Sequence, residues 1–157
     1  MSKVKPRIKV PAYAPSKPKQ PVQLKLPEPT NTTKVKFQIE FEFRSSKGIL
    51  FSYLSDSSGL AGWFADEVKS HDDHYTFVWE GSEMHARQTA VKDLQLVRYE
   101  WTEESDGTYF QFEIKEDDIT SDIALLITDW ANPGEKDTNS RLWESQVQKL
   151  RQLLGSL

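Results

Sequence analysis

The sequence contains no cysteine, so disulfides and cysteine-ligated zinc or redox centres are excluded. It also lacks long apolar runs, and no stretch approaches the roughly 18 apolar residues that a membrane-spanning helix needs. The N-terminal MSKVKPRIKV has no apolar run typical of a signal peptide. These absences predict a cytoplasmic protein without integral membrane association, and 157 residues suit a single main domain.

Sequence motifs for cofactor chemistry are missing too. There is no nucleophile elbow, no phosphate-binding glycine loop and no dinucleotide fingerprint. His71 and His74 flank two aspartates, but clustered Asp and His are more typical of a solvated turn than of a metal site. We therefore expect neither a cofactor nor a metal, and no catalytic residue is assigned.

Charge and proline divide the chain near residue 33. Residues 1–33 carry seven basic residues and one acid, a net charge of +6, and seven of the eight prolines. This composition predicts a Pro-rich basic arm without a packed core. The arm is either flexible, a docking segment for an acidic or sheet-edge protein partner, or folded back on its own domain. Residues 34–157 carry 13 basic and 23 acidic residues, a net charge of −10 that argues against nucleic acid as a partner.

A strand and two short helices open the domain. Apolar residues alternate with polar ones from Val35 to Phe43, the period-two pattern of a strand with one buried face. Ser46 is placed to cap a first helix with Ile49, Leu50, Tyr53 and Leu54 on one face. Asp56 to Gly59 breaks the chain before a second short helix around Leu60 and Trp63.

An antiparallel meander and a long helix complete the pattern. Alternating segments separated by turn residues predict strands up to Trp130, among them 94–101 and 119–128. Asn139 or Ser140 is expected to cap the final helix. Its apolar residues are three and four apart and form one broad stripe: Leu142, Trp143, Val147, Leu150, Leu153 and Leu154.

This order of elements resembles the START-like (helix-grip) superfamily. It is similar in particular to the branch of the heat-shock-chaperone ATPase activator (AHSA-type), in its small bacterial stand-alone members. The local match lies in DSSGLAGWFADEV at 56–68 and in Trp143 ahead of the apolar stripe. The resemblance implies an α+β fold in which a bent antiparallel sheet wraps around a long C-terminal helix, with two short helices after the first strand.

The same resemblance implies a cavity for an apolar small molecule or lipid between the sheet and the C-terminal helix, in a non-catalytic carrier or sensor. The alternatives are a protein-interaction module or chaperone accessory, and an enzyme resembling the aromatases and cyclases of the superfamily. Candidate cavity residues share an apolar side chain on a predicted element. They are Phe64, Trp79, Met84, Trp101, Phe110, Phe112, Leu126, Trp143, Val147 and Leu150.

Three polar residues are candidate anchors for a ligand headgroup. Arg87 and Arg98 lie within partly apolar strands, where an inward guanidinium can orient an anion. If His85, beside Met84, faced the cavity, its imidazole would supply an acid or base. An enzyme would draw the polar group it needs in the cavity from His85, Arg87 or Arg98. For all three, an outward orientation on the wet face is the competing interpretation. Periodicity alone does not decide between the faces, because a slip of one residue reverses them.

Overall fold

The computed structural model describes residues 26–155. Residues 1–25, most of the predicted arm, lie outside this range. Seven strands and three helices follow in the order β1 Val35–Phe43, α1 Lys47–Ser55, α2 Ser57–Leu60, β2 Glu67–His71, β3 His74–Trp79, β4 Ser82–Lys92, β5 Leu96–Trp101, β6 Tyr109–Glu116, β7 Ile123–Ala131 and α3 Lys136–Leu154.

The seven strands form one curved antiparallel sheet in the order β1-β7-β6-β5-β4-β3-β2. Strands β2 to β7 are a meander, and β1 joins its far edge by pairing with β7 from Val35 opposite Ala131 to Phe43 opposite Ile123. Helix α3 packs its apolar stripe against the concave face, hereafter the inner face of the sheet. The predicted α+β helix-grip architecture is confirmed.

The two short helices form because of local capping and one close backbone approach. The hydroxyl of Ser46 accepts a hydrogen bond from the Ile49 N–H and caps α1, as predicted. Helix α2 follows so closely that a Cβ on Gly59 would lie 2.4 Å from the Ser52 carbonyl oxygen, which only glycine avoids. Ile49 does not lie on the buried face as expected: its side chain is 54% exposed, and Phe51 is buried instead.

Helix α3 begins one turn earlier than predicted, at Lys136, and ends at Leu154, where Gly155 in the left-handed conformation caps it. Trp143, Val147 and Leu150 are buried, as the apolar stripe predicts. Leu142 and Leu153 belong to the same predicted stripe but remain exposed by 59% and 49%. The buried stripe is therefore narrower than the sequence pattern, and one apolar edge of α3 faces away from the sheet.

The last strand also starts later than predicted. Residues 119–122 form a turn, in which the Asp117 carboxylate accepts hydrogen bonds from the Ile119 and Thr120 N–H groups. Ser121 has a positive φ, and Ile119 is 91% exposed. The hydrophobic side chain of Ile119 suggested a strand, but the neighbouring aspartate stabilises a turn, so β7 begins at Ile123.

Candidate ligand-binding groove

The inner face of the sheet carries a continuous cluster of aromatic rings. Phe64 lies at its centre, stacked on Phe110 at 4.9 Å and on Trp143 at 5.6 Å between ring centroids. Offset and edge-to-face contacts extend the cluster along the sheet. It comprises Trp63, Phe64, Tyr75, Phe77, Trp79, Tyr99, Trp101, Phe110, Phe112 and Trp143. These rings occupy most of the space between α3 and the sheet.

Eight of the ten predicted cavity residues belong to this core or pack against it: Phe64, Trp79, Trp101, Phe110, Phe112, Trp143, Val147 and Leu150. Met84 also lies on the inner face, since it pairs with Phe77 across β3 and β4. It is only partly buried and lies outside the main cluster. That any of these residues contacts a ligand stays a prediction.

Leu126 and the three candidate anchors lie on the convex face, hereafter the outer face. Leu126 alternates with the buried Leu125 and Ile127 and pairs with Glu40 on β1, so it points away from α3. His85 and Arg87 flank the buried Ala86, and Arg98 lies between Val97 and Tyr99 of the core. The prediction that Leu126 lines the cavity is corrected, because a shift by one residue along a strand selects the opposite face. For His85, Arg87 and Arg98 the structure has the outward orientation, which was the competing interpretation.

The open space next to the aromatic core is a groove at one end of the grip, between α3 and the loop from α2 to β2. Its volume is about 560 Å³. Trp79 contributes a partly exposed aromatic ring, and Leu142 of α3 adds an exposed apolar side chain. Trp63 and Phe64 line the groove from the core and are almost fully buried. The groove therefore begins where the packed interior ends, and it opens to solvent along α3.

The floor of the groove is fixed by the backbone of Phe64. The carbonyl oxygen of Phe64 accepts hydrogen bonds from Trp79 Nε1 and from Gln146 Nε2, both at 2.8 Å. Gln146 is 8% exposed, a buried polar residue that joins α3 to the loop. Trp63 Nε1 donates to the Tyr53 carbonyl at 2.9 Å. The indoles of Trp63 and Trp79 thus each have a hydrogen-bond partner, and they are held in position before any ligand enters.

Charged side chains surround the mouth of the groove. Asp66 and Glu80 line one side, where Asp66 Oδ2 accepts a hydrogen bond from the Glu80 N–H at 2.8 Å. Lys149 and Ser145 line the other side, on α3. An apolar wall with a lysine at its rim suits a molecule with an apolar body and a polar or anionic end.

Sequence reasoning missed most of the polar part of this groove, namely Asp66, Glu80, Ser145, Gln146 and Lys149. The helical period places Lys149 away from the apolar stripe of α3, but this gives no information about the neighbouring loop. The sequence carries one indication of a polar group at this site, because the helical period places Gln146 next to the apolar stripe of α3.

A buried polar network holds α1 against the same inner face. Tyr99 Oη donates to the Leu54 carbonyl at 2.7 Å, and Tyr75 Oη donates to the Ser55 carbonyl at 3.0 Å. Gln88 Nε2 lies within hydrogen-bond distance of both hydroxyl groups and of the Ser55 carbonyl. Burial raises the pKa of both tyrosines, so they stay protonated donors. The last carbonyls of α1 are thereby satisfied by the sheet.

One carboxyl group also belongs to the inner face. Asp129 of β7 accepts hydrogen bonds from Trp143 Nε1 at 2.8 Å and from the Trp130 N–H at 2.7 Å. Burial raises the pKa of Asp129 to about 6, against the lowering effect of these hydrogen bonds. This group was not anticipated from the sequence, because an aspartate near a strand end is usually solvated.

The remaining histidines lie at exposed turns. His71 and His74 form the ends of the β2–β3 hairpin, and Asp72 between them has a positive φ, as the turn interpretation requires. His85 contacts Glu103 on the outer face. Within residues 26–155, no group of three or more His, Asp or Glu side chains is arranged to hold a metal ion. In the same range, no helix is long and apolar enough to cross a membrane.

Sequence comparison matches residues 31–156 to the family model of the START-like superfamily domain. No curated protein matches the chain at a significant level. The predicted boundary at residue 33 stays a prediction.

Solved structures with the same fold include a Bacteroides fragilis protein determined by NMR. It is 34% identical, with 78% of this chain and 92% of that chain covered and a TM-score of 0.57. The Aha1 dimer from Colwellia psychrerythraea is 14% identical, with 76% and 93% covered and a TM-score of 0.60. DynU16, from the dynemicin biosynthetic locus, is 12% identical, with 76% and 47% covered and a TM-score of 0.63. The last two similarities concern the fold alone.

Proposed function

The chain belongs to the START-like superfamily, and on that premise we propose that it binds an apolar small molecule or lipid in the groove between α3 and the α2–β2 loop. The observation that carries the proposal is the position of this groove. Its volume of about 560 Å³ is typical of a small-molecule site, and it lies directly on aromatic rings that are already fixed by hydrogen bonds.

The groove favours a ligand of moderate size with one polar end. The interior behind Phe64 is filled by Phe110, Phe112 and Trp143, so a ligand bound at this end of α3 is confined to the open groove. A long chain buried along the whole helix, as in a tunnel, has no space here. The ammonium group of Lys149 at the rim would bind a carboxylate or phosphate of the ligand, while Trp79 and Leu142 would contact the apolar part of the ligand.

The role we propose is that of a carrier or sensor rather than an enzyme. General acid–base chemistry requires a titratable group within hydrogen-bond reach of the substrate. The imidazole of His85, the candidate acid or base, lies on the outer face of the sheet, away from the groove. The titratable groups that line the groove, Asp66, Glu80 and Lys149, lie at its exposed mouth. A lysine and two carboxylates at an exposed rim serve to orient a ligand.

Native mass spectrometry of the protein purified from cells tests the proposal directly. We expect an additional mass that is retained under gentle conditions and lost after delipidation, and we expect the delipidated protein to take up sodium dodecanoate as a defined probe. A bulky residue in the groove should prevent this uptake. Ser145→Trp places an indole among the lining residues without altering the packed core.

The matched control is Glu144→Trp, one residue away on α3. Residue 144 is exposed, and the 100° rotation per residue places it on the side of the helix away from the groove. Loss of dodecanoate binding in Ser145→Trp with retention in Glu144→Trp is the expected result. Equal binding by both variants, or no binding by the unmodified protein, would overturn the proposed site.

A further inference from the structure

The outer face of the sheet carries a buried arginine whose partners come from the segment ahead of the domain. Arg98 is 6% exposed, although it lies on the face opposite the core. Its Nε donates to Gln111 Oε1 at 2.8 Å, and its guanidinium lies 3.6 Å above the centre of the Tyr109 ring. A guanidinium stacked and oriented in this way is a preformed binding group for a carboxylate or carbonyl oxygen.

Residues 26–29 occupy this binding group. Arg98 Nη1 donates to the Pro27 carbonyl at 2.6 Å, and Nη2 donates to a carboxylate oxygen of Glu28 at 3.2 Å. Tyr109 Oη donates to the same carboxylate at 2.9 Å, and Lys36 Nζ does so at 3.1 Å. One carboxylate therefore receives hydrogen bonds from three side chains of the sheet, two of them cationic.

The charge of Glu28 is favoured in this position. Burial opposes ionisation of the carboxyl, but hydrogen bonds from Lys36, Tyr109 and Arg98 outweigh burial and lower its pKa. Glu28 is also the only acidic residue among the first 33. The arm therefore offers one carboxylate, and that carboxylate lies against the buried arginine.

The prolines on either side of Glu28 restrict the segment to an extended shape that suits a flat surface. Pro29 lies against the β5–β6 turn, where a Cβ built on Gly107 would be 3.7 Å from it. Thr32 donates to Asp106 at 2.8 Å, and Lys34 pairs with Glu104 at 2.8 Å, which continues the contact along the same turn. Residues 26–30 precede the part of the chain matched by the family model, so the contacts of Pro27, Glu28 and Pro29 are additional to the common domain.

The segment leaves part of this surface unfilled. A cleft of about 200 Å³ remains between residues 26–29 and the sheet, bounded also by Thr89, Ala90 and Glu100. Close by, Trp130 packs edge-on against Tyr109, and its Nε1 is buried without a hydrogen-bond partner among residues 26–155. Unused space and an unused donor beside a bound segment are features of a recognition site rather than of a core.

We propose that the outer face is a second binding site, specific for an extended segment with a carboxylate between two prolines, and that the chain's own residues 26–29 occupy it as a displaceable latch. Arg98, Tyr109 and Lys36 recognise the carboxylate, and Arg98 also recognises the carbonyl that precedes it. The latch fixes the point at which the basic arm leaves the acidic domain. This proposal does not depend on the groove of the inner face.

The test uses the full chain and a capped peptide with the sequence of residues 24–31. In the unmodified protein the tethered segment competes at high effective concentration, so the peptide should bind weakly. Glu28→Ala removes the tethered carboxylate, and the peptide should then bind about tenfold more tightly, followed by NMR shifts of the Gly107 amide and the Trp130 indole. A peptide with glutamine in place of the glutamate should lose about tenfold on the same variant.

Two further substitutions in the Glu28→Ala background separate recognition from folding. Arg98→Lys keeps the charge but loses the planar fork, and we expect it to reduce peptide binding about tenfold with an unchanged circular dichroism spectrum. Arg87→Ala, at an exposed arginine on the same face, should leave binding unchanged. Equal binding to the unmodified protein and to Glu28→Ala, or no difference between the two peptides, would overturn the proposal. So would a dimer of the unmodified protein that dissociates on Glu28→Ala, since the occupant would then be the arm of a second copy.

Discussion

The two faces of one sheet use the same alternating strands for different chemistry. On the inner face, aromatic rings contact each other, and their polar atoms bond to backbone carbonyls, as Tyr99 does to Leu54. On the outer face, a stacked arginine and its ionic partners bind a segment from outside the family domain. Burial on a sheet therefore does not identify the core: Arg98 is buried because a segment covers it.

The largest expected effect comes from removing a ring on the inner face. Phe110→Ala should reduce the free energy of unfolding by about 3–5 kcal/mol, because Phe110 is fully buried at the centre of the cluster. Leu126→Ala, on the outer face, should cost only about 1 kcal/mol. Urea denaturation of both variants measures the contrast, and equal losses would contradict our assignment of the two faces.

The next effect concerns pH and Asp129. Its pKa in the folded protein is about 6, above the ordinary value of 3.8, so the folded state holds this proton more tightly. The resulting stabilisation is complete below about pH 4 and is lost as the pH rises through 6. Because Asp129 keeps some exposure to water, we expect a change of about 2 kcal/mol.

Asp129→Asn isolates this contribution. Other carboxyls, such as Glu28 and Asp106, have lowered pKa values and change stability in the opposite direction on acidification. The difference in unfolding free energy between the unmodified protein and Asp129→Asn should therefore be compared from pH 4 to pH 7.5. It should shift against the unmodified protein as the pH rises, and a difference independent of pH would refute the buried carboxyl.

Removing a tyrosine hydroxyl should reduce stability by a smaller amount, and the loss should be greater on the inner face than on the outer face. Tyr99→Phe leaves the buried Leu54 carbonyl without its donor and should cost about 1–2 kcal/mol. Tyr109→Phe removes one of several donors to a half-exposed carboxylate and should cost about 0.5 kcal/mol. Thermal denaturation of the pair is sufficient, and a larger loss for Tyr109→Phe would reverse the ranking.

The smallest effect separates the latch from an ordinary surface ion pair. Glu28→Gln should lower stability by about 0.5–1 kcal/mol, because three donors converge on a partly exposed carboxylate. Glu116→Gln breaks a single exposed pair with Lys47 and should cost about 0.3 kcal/mol or less. Both losses should shrink in 1 M salt, and identical values would mean that the Glu28 contacts are no more than surface contacts.

The fold could be predicted because its signals are local or periodic. The alternation in Val35–Phe43, the Ser46 cap and the stripe of α3 each specify an element, and together they match one superfamily. Leu126 and Arg98 could not be assigned to a face, since register depends on pairing between distant strands.

The groove and the latch were harder to predict for the same physical reason. Asp66 and Lys149 both line the groove although they are far apart in the sequence. The same is true of Glu28 and Arg98, which meet in the latch. Neither contact leaves a pattern within either segment. One of the interpretations of the sequence was that the basic arm folds back on the acidic domain, and Pro27, Glu28 and Thr32 of the arm do contact it.

An NMR titration of protein labelled with ¹⁵N-tryptophan, with sodium dodecanoate as the probe, tests whether the inner face carries an apolar binding site. The five indoles report on both faces at once, since Trp63 and Trp79 line the groove and Trp130 lies beside the latch. We predict saturable shifts of the Trp63 and Trp79 indole resonances while the Trp130 resonance stays in place. A shift confined to Trp130, or no saturable shift of Trp63 and Trp79, would contradict an apolar site on the inner face.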